Sequence, residues 1–372
     1  MSKKAVFSIV ATAGYLLLSF LASSCDPSKS GEPIFDRKAM LQNYADNFIK
    51  PAYIQLQNQT NVLHSAVLVF NTNPTAQTLA DLQSIWASAY ADWQYANAYN
   101  FGPAGESGLR KGLVEEVGTF PASKIKIETS IALAQWNVED FNRDARGFLA
   151  IEYLIFGQGQ SADDVLALFD AYPNRRNYLA AIAEHLRNRT SEVLTFWNGT
   201  YRSEFVENDG TDVGSSTSQL YNEFVRSYES IKNFKLGLPL GKRPGQTQSE
   251  PQLVEAFYSG QSLAMLKNHV AAIENIWHGR SRSGQDGIGF REYLESVEGG
   301  DALIASTEAQ LAALKTALAA VPESPSLSEQ IAGDNSKVEA LYVEFSKMTR
   351  FFKSDMSSLL GIAITFSSGD GD

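Results

Sequence analysis

Residues 35–71 read FDRKAMLQNYADNFIKPAYIQLQNQTNVLHSAVLVFN. Leu41, Tyr44 and Phe48, then Leu56, Leu63, Val67 and Phe70, fall at the spacing that lines one face of an α-helix. Pro51 has no N–H to donate, so a kink or break is expected there. The same periodicity returns over 75–99, through Leu79, Leu82, Trp86, Tyr90 and Trp93, and over 174–205, through Leu179, Ile182, Leu186, Val193 and Trp197. It recurs over 217–234, 251–277, 302–321 and 334–360. Ser249 ahead of Glu250-Pro251 predicts an N-cap with proline in the first turn, and Gly279 predicts a stop. Period-two alternation is scarce; 124–127 reads as one short extended piece. These patterns predict an all-α protein of two helical-bundle-like domains packed together. The Gly/Ser-rich stretch 207–218 (ENDGTDVGSSTS) is the expected linker between an N-terminal bundle over 35–206 and a C-terminal one over 219–372. The similar lengths leave an internal duplication open, although no repeat of residues stands out.

The chain has 372 residues, 44% of them hydrophobic and 20% charged, a balance that supports a packed core. Its net charge of −11 argues against a nucleic-acid partner. The single cysteine, Cys25, excludes an internal disulfide and a cysteine-based metal cluster. HExxH, GxSxG and Walker signatures are missing.

Lys3 and Lys4 precede an apolar run from Ala5 to Ala22, followed by Ser23, Ser24 and Cys25. A basic start, an apolar stretch and small residues before a cleavage point read as a signal peptide over 1–24. Leu21-Ala22-Ser23-Ser24-Cys25 resembles a bacterial lipobox, with Leu one place further from the cysteine than usual. Lipidation of Cys25 is therefore expected, with 25–34 (CDPSKSGEPI) as a flexible tether. This places the protein in a bacterial cell envelope, membrane-bound through its lipid at the outer membrane and facing periplasm or surface.

The functional reading starts at 144–157, DARGFLAIEYLIFG. Every side chain from Phe148 to Phe156 is apolar or aromatic except Glu152. A helix apolar all round is buried all round, so Glu152 is expected inside. A buried carboxylate needs a basic partner, hydrogen-bond donors, a metal ion or a proton. A salt bridge or a bond to a neighbouring helix end is the structural alternative to a ligand or metal role, or to a general acid/base role.

Other candidates are weaker. Trp86 and Trp93 share a stripe and read as core or as a ligand platform. His64, His185 and His269 read as ordinary helix residues, the last two on solvated faces, and Asp144 and Arg146 as solvated contacts at a helix start. Glu274 and His278 are four apart, but His278 suits a helix C-terminus without any metal. Phe101-Gly102-Pro103 and Gly237–Gly241 read as turns, and Glu255, Tyr258, Ser259 and Ser262 as the opening of a helix, where an N-terminus can hold an anion.

The segment around Glu152 resembles the imelysin family, whose signature is GxHxxE on a helix. Gly147 and Glu152 match, and Leu149 stands at the histidine position. Asn47–Tyr53, Trp86 to Pro103, Gly237–Gly241 and Val254–Leu263 are similar to further family segments in the same order. The resemblance implies an all-helical envelope protein of two bundle-like parts, associated with iron or other metal-linked uptake, and an iron-uptake protein as partner. It implies iron or another divalent metal as cofactor, with Glu152 as ligand, which Leu149 puts in doubt. It also implies a ligand site near the meeting of the halves, drawing on Gly147, Glu152, Trp86, Trp93, Phe101, Gly102, Glu255, Tyr258, Ser259 and Ser262. The family is filed as metallopeptidases. A zinc peptidase needs about three protein ligands and a base, so the readings that remain beside a binding component are a divergent peptidase using Glu152 and an envelope interaction protein with a degenerate site.

Overall fold

A computed structural model describes residues 35–107, 110–157 and 159–366. The signal, Cys25 and the tether lie outside the described residues. Helix α1 (Arg37–Tyr44) passes through a π turn, Ala45–Ile49, into α2 (Lys50–Thr72). Pro51 occupies the first turn of α2, where its missing N–H is harmless, and the expected break takes the form of the π turn. Thr75 caps α3 (Ala76–Ala96) by accepting the Thr78 N–H at 3.1 Å, so α2 and α3 form a helical hairpin.

Next come α4 (Leu113–Val117), α5 (Lys124–Leu133), α6 (Gly147–Phe156), α7 (Ala162–Ala171), α8 (Pro173–Asn198) and α9 (Tyr201–Glu207). The extended piece expected at 124–127 is instead the start of α5. Ser123 caps it, and Ile127 and Ile131, four apart, are its buried pair. The single helix expected over 174–205 divides at Gly199-Thr200.

Beyond the 207–218 stretch, α10 (Ser216–Ser230) begins at its Ser215 cap and runs into a second π turn, Ile231–Gly237. Helix α11 (Ser262–His278) starts later than its periodicity suggested. Pro251–Leu253 is a lone 3-10 turn, and Ala256, at φ +52°, breaks the chain before Ser262. Gly279 ends α11 in the left-handed region, as expected. The chain closes with α12 (Phe290–Glu295), α13 (Gly300–Ala320), α14 (Leu327–Ala332), α15 (Ser336–Thr349), a third π turn (Arg350–Asp355) and α16 (Met356–Leu360). No strand forms among the described residues, so the fold is all-α, and no described helix is long and apolar enough to cross a membrane.

The described residues from Arg37 onward form one compact unit. Helix α2 packs on α3 and α8, and α6 fills the space against the same pair. On the other side α13 packs on α15, and α11 on α10. The contact of α11 with α3 joins residues before the 207–218 stretch to those after it. Buried aromatic side chains fill both parts: Trp86 stacks on Tyr90, Trp197 packs on Phe205, and Phe224 meets Phe352 edge-on.

Candidate functional site

Every residue from Gly147 to Ile155 is buried, as an all-apolar helix requires. Gly147 opens α6 at φ +76°, and a Cβ there would stand 2.4 Å from the Val117 carbonyl oxygen. The glycine of the motif is thus demanded by backbone conformation and close approach. Glu152 is 1% exposed. Its Oε1 accepts the Ser259 N–H at 2.8 Å, from the unwound segment just before α11. No Lys, Arg or His pairs with Glu152 among the described residues. Burial pushes its carboxyl up to about 7, the Ser259 contacts act downward, and nearby Glu255 pushes it up further. Of the structural alternative, neither the salt bridge nor the bond to a neighbouring helix end is seen among the described residues: the donor Ser259 precedes α11 rather than lies in it.

Glu255 has a different setting. Tyr90 donates its hydroxyl to Glu255 Oε1 at 2.6 Å, Lys235 Nζ lies 2.8 Å from Oε2, and Lys235 also donates to Gln94 Oε1 at 2.5 Å. Both charged groups are buried, and burial lowers the Lys235 ammonium while Glu255 raises it. On the same wall the Ser227 hydroxyl sits 2.7 Å from His269 Nε2 and 2.9 Å from Asn97 Oδ1. Burial first, then the Lys235 charge, push His269 well below its ordinary value, so it is neutral. His269 is 1% exposed, a correction to the solvated face expected of it.

These groups border a cavity of about 380 Å³. Trp93, Asn97 and Glu115 line it from before the 207–218 stretch, and Glu223, Lys235, Glu255 and His269 from after it. Burial raises the Glu223 carboxyl to about 7 and also raises Glu115. The cavity therefore joins an aromatic wall, a Lys–Glu pair, a neutral histidine and two carboxyls raised by burial.

Of the other sequence candidates, Trp93 and Glu255 line this cavity. Trp86 donates its indole N–H to the Phe148 carbonyl at 2.8 Å and is core. Phe101 stacks on Phe205, and Gly102, at φ +54°, leaves room for Tyr201. Tyr258 packs its ring on Tyr153, while the Ser259 and Ser262 hydroxyls turn to the Ala256 carbonyl. His64 contacts Arg187, Glu274 pairs with Lys315, and His278 with Glu308. Asp144 does make the half-exposed contact expected, with Lys126. Two further expectations are corrected. His185 is buried among Glu116, Glu139 and Arg146, which lowers it to about 4 by burial first and by Arg146 second. Arg146 is 3% exposed and pairs with Glu116 at 2.7 Å.

Among the described residues no three His, Cys, Asp or Glu side chains gather in a metal-holding group. At α6 the family's histidine position carries buried Leu149, and Glu152 Oε1 is already engaged by Ser259. This donor set does not fit a catalytic zinc.

The family profile described as Imelysin (Peptidase_M75) matches residues 49–344. Iron-regulated protein A of Synechococcus elongatus is 24% identical over 312 residues, covering 81% of this chain and 80% of that protein. The fold resembles a crystal structure of an iron-regulated protein A precursor from Parabacteroides distasonis, with TM-score 0.72 and 18% identity, covering 89% of this chain and 97% of that one. It also resembles an imelysin-like protein from Psychrobacter arcticum, with TM-score 0.67 and 18% identity, covering 90% of this chain and 99% of that one. With its helical fold, its Gly147–Glu152 helix and a profile match over most of its length, the chain belongs to the imelysin family.

Proposed function

We propose that this protein is a lipid-anchored binding component of an iron-linked process in a bacterial envelope, holding its ligand in the cavity between its two helical parts. The observation that carries the reading is that cavity, walled from both parts by an aromatic face and by buried ionisable groups. Such a concave, partly apolar space with a few convergent polar groups is the usual form of a small-ligand site. The iron link rests on the relative named iron-regulated protein A. The anchor rests on the Leu21–Cys25 sequence.

The test is native mass spectrometry of protein purified without chelator from iron-limited cells, together with metal analysis and a peptide-hydrolysis assay. A ligand adduct is expected in the wild type and its loss in a Val114→Trp variant that fills the cavity. Peptide hydrolysis by the wild type that Glu152→Gln abolishes would overturn the binding reading in favour of a divergent peptidase. Labelled palmitate is expected on the wild type and not on Cys25→Ala; equal labelling removes the anchor.

A further inference from the structure

Four carboxylates line the cavity: Glu115, Glu223, Glu229 and Glu255. Two of them have a cation each, with Lys235 2.8 Å from Glu255 and Lys353 3.2 Å from Glu229. Glu115 and Glu223 share one. Arg226 stands 3.2 Å from Glu223. Burial pushes both carboxyls up, Arg226 draws each of them down, and Glu115 adds to the rise of Glu223. Lys111, the other cation that acts on Glu115, is exposed and paired with Glu106 at 3.1 Å. Glu115 makes no ion pair among the described residues, and its Oε2 is buried without a hydrogen-bond donor. Two desolvated carboxylates against one guanidinium leave this part of the wall one positive charge short.

Asn233 supplies an independent observation. It comes from the second π turn, lines the cavity and is 4% exposed. Its side chain has no hydrogen-bond partner among the described residues, whereas a buried amide is ordinarily bonded. The rest of the wall includes the rings of Trp93, Phe120 and Phe234. A metal ion asks for a set of converging protein donors, and no such group gathers among the described residues. An ammonium group asks for less. Its N–H donors suit carboxylate and amide oxygens, its charge is attracted by ring faces, and the hydrocarbon it carries suits an apolar wall. We propose that the ligand of this cavity is an organic amine, with its ammonium taken by Glu115 and Glu223, Asn233 as a further acceptor, and its hydrocarbon body along the rings. This rests on the reading of the cavity as the ligand site, and adds the chemical class of the ligand.

Calorimetric titration of the full chain with three probes of one chain length tests it: hexylamine, hexanol and hexanoate. Hexylamine is expected to bind saturably, and the other two roughly tenfold or more weakly. Glu115→Gln keeps the shape and removes the charge; it should weaken hexylamine by roughly tenfold and leave hexanol as it was, a selectivity that general loss of structure does not produce. Circular dichroism verifies folding, and Glu223→Gln serves should Glu115→Gln fail to fold. Glu274→Gln, which loses an exposed contact with Lys315 outside the cavity, should bind hexylamine as the wild type does. Val114→Trp should abolish hexylamine binding. Hexanol or hexanoate binding as tightly as hexylamine, and lost in Val114→Trp, overturns the amine while leaving the cavity as the ligand site. Hexylamine binding that survives Val114→Trp, or that Glu115→Gln and Glu274→Gln weaken equally, overturns it by placing the amine elsewhere. Binding of none of the probes also overturns it, and the adduct seen by native mass spectrometry then decides the ligand site separately.

Discussion

Glu116 and Glu152 are both buried carboxylates, and the structure treats them in opposite ways. Glu116 lies between Arg146 at 2.7 Å and Arg143 at 3.1 Å. Burial works against its charge, but hydrogen bonds and charge from Arg146 and then Arg143 outweigh it and hold the carboxyl below its ordinary range. Glu152 receives only uncharged donors, from Ser259 and the Tyr258 backbone; burial first and the repulsion of Glu255 outweigh them, and its carboxyl rises to about 7. The difference is one of supply. A buried charge with cationic partners is a structural fixture, whereas one met only by uncharged donors retains a capacity to hold a proton or a ligand.

That contrast can be broken at four places. Arg146→Ala leaves Glu116 in a buried site with half its partners gone, and should lower unfolding free energy by about 3–5 kcal/mol in urea titrations. A loss under 1 kcal/mol would mean that Glu116 is solvated and the contrast is illusory. Glu152→Gln should change the pH dependence instead. The folded carboxyl titrates near 7 against an ordinary 4.5, so the folded state holds the proton that the unfolded state releases. Wild-type stability carries a contribution that falls as pH rises from 4.5 to 7, on the order of 3 kcal/mol, which the variant lacks. The difference between the two unfolding free energies, measured at pH 4.5 and pH 8, reads it. His185 acts with the opposite sign. Lowered to about 4 from 6.5, it adds stability as pH rises through that interval in both proteins, so it cancels from the difference.

Lys235→Met should cost less than Arg146→Ala, about 2 kcal/mol, because Glu255 keeps the hydrogen bond from the Tyr90 hydroxyl. A cost in urea titration as large as that of Arg146→Ala would show that the Tyr90 hydroxyl does not compensate. Glu274→Ala removes a half-exposed contact with Lys315 and should stay within about 0.5 kcal/mol.

Much of this contrast was legible in residue order, and its limits have physical causes. The apolar run around Glu152 revealed its burial because a helix with no polar face has nowhere else to go. The helices from α2 to α3 followed from their stripes. Lys235 gave no such signal: it stands in a π turn, where the extra residue rotates the face and a 3.6-residue period no longer assigns a side. His269 and His185 looked like surface groups because their burial comes from partners distant in sequence, Ser227 for one and Glu116 and Arg146 for the other. The late start of α11 was hidden by Pro251, a genuine helix-opening signal spent on a single 3-10 turn, and by Ala256 in a conformation that alanine rarely adopts. The cavity itself depends on pairings across the whole chain, which no local pattern records.

Because the cavity draws its walls from both sides of residues 208–214, neither polypeptide fragment made by cutting there owns a complete site. If the cavity holds a ligand as proposed, two such pieces expressed together would regain that binding only by reassembling, and a ligand present during that reunion would favour it in proportion to its own affinity. Fragment complementation thus becomes a reporter for screening candidate guests of the proposed site, with recovery of the joined form as the readout.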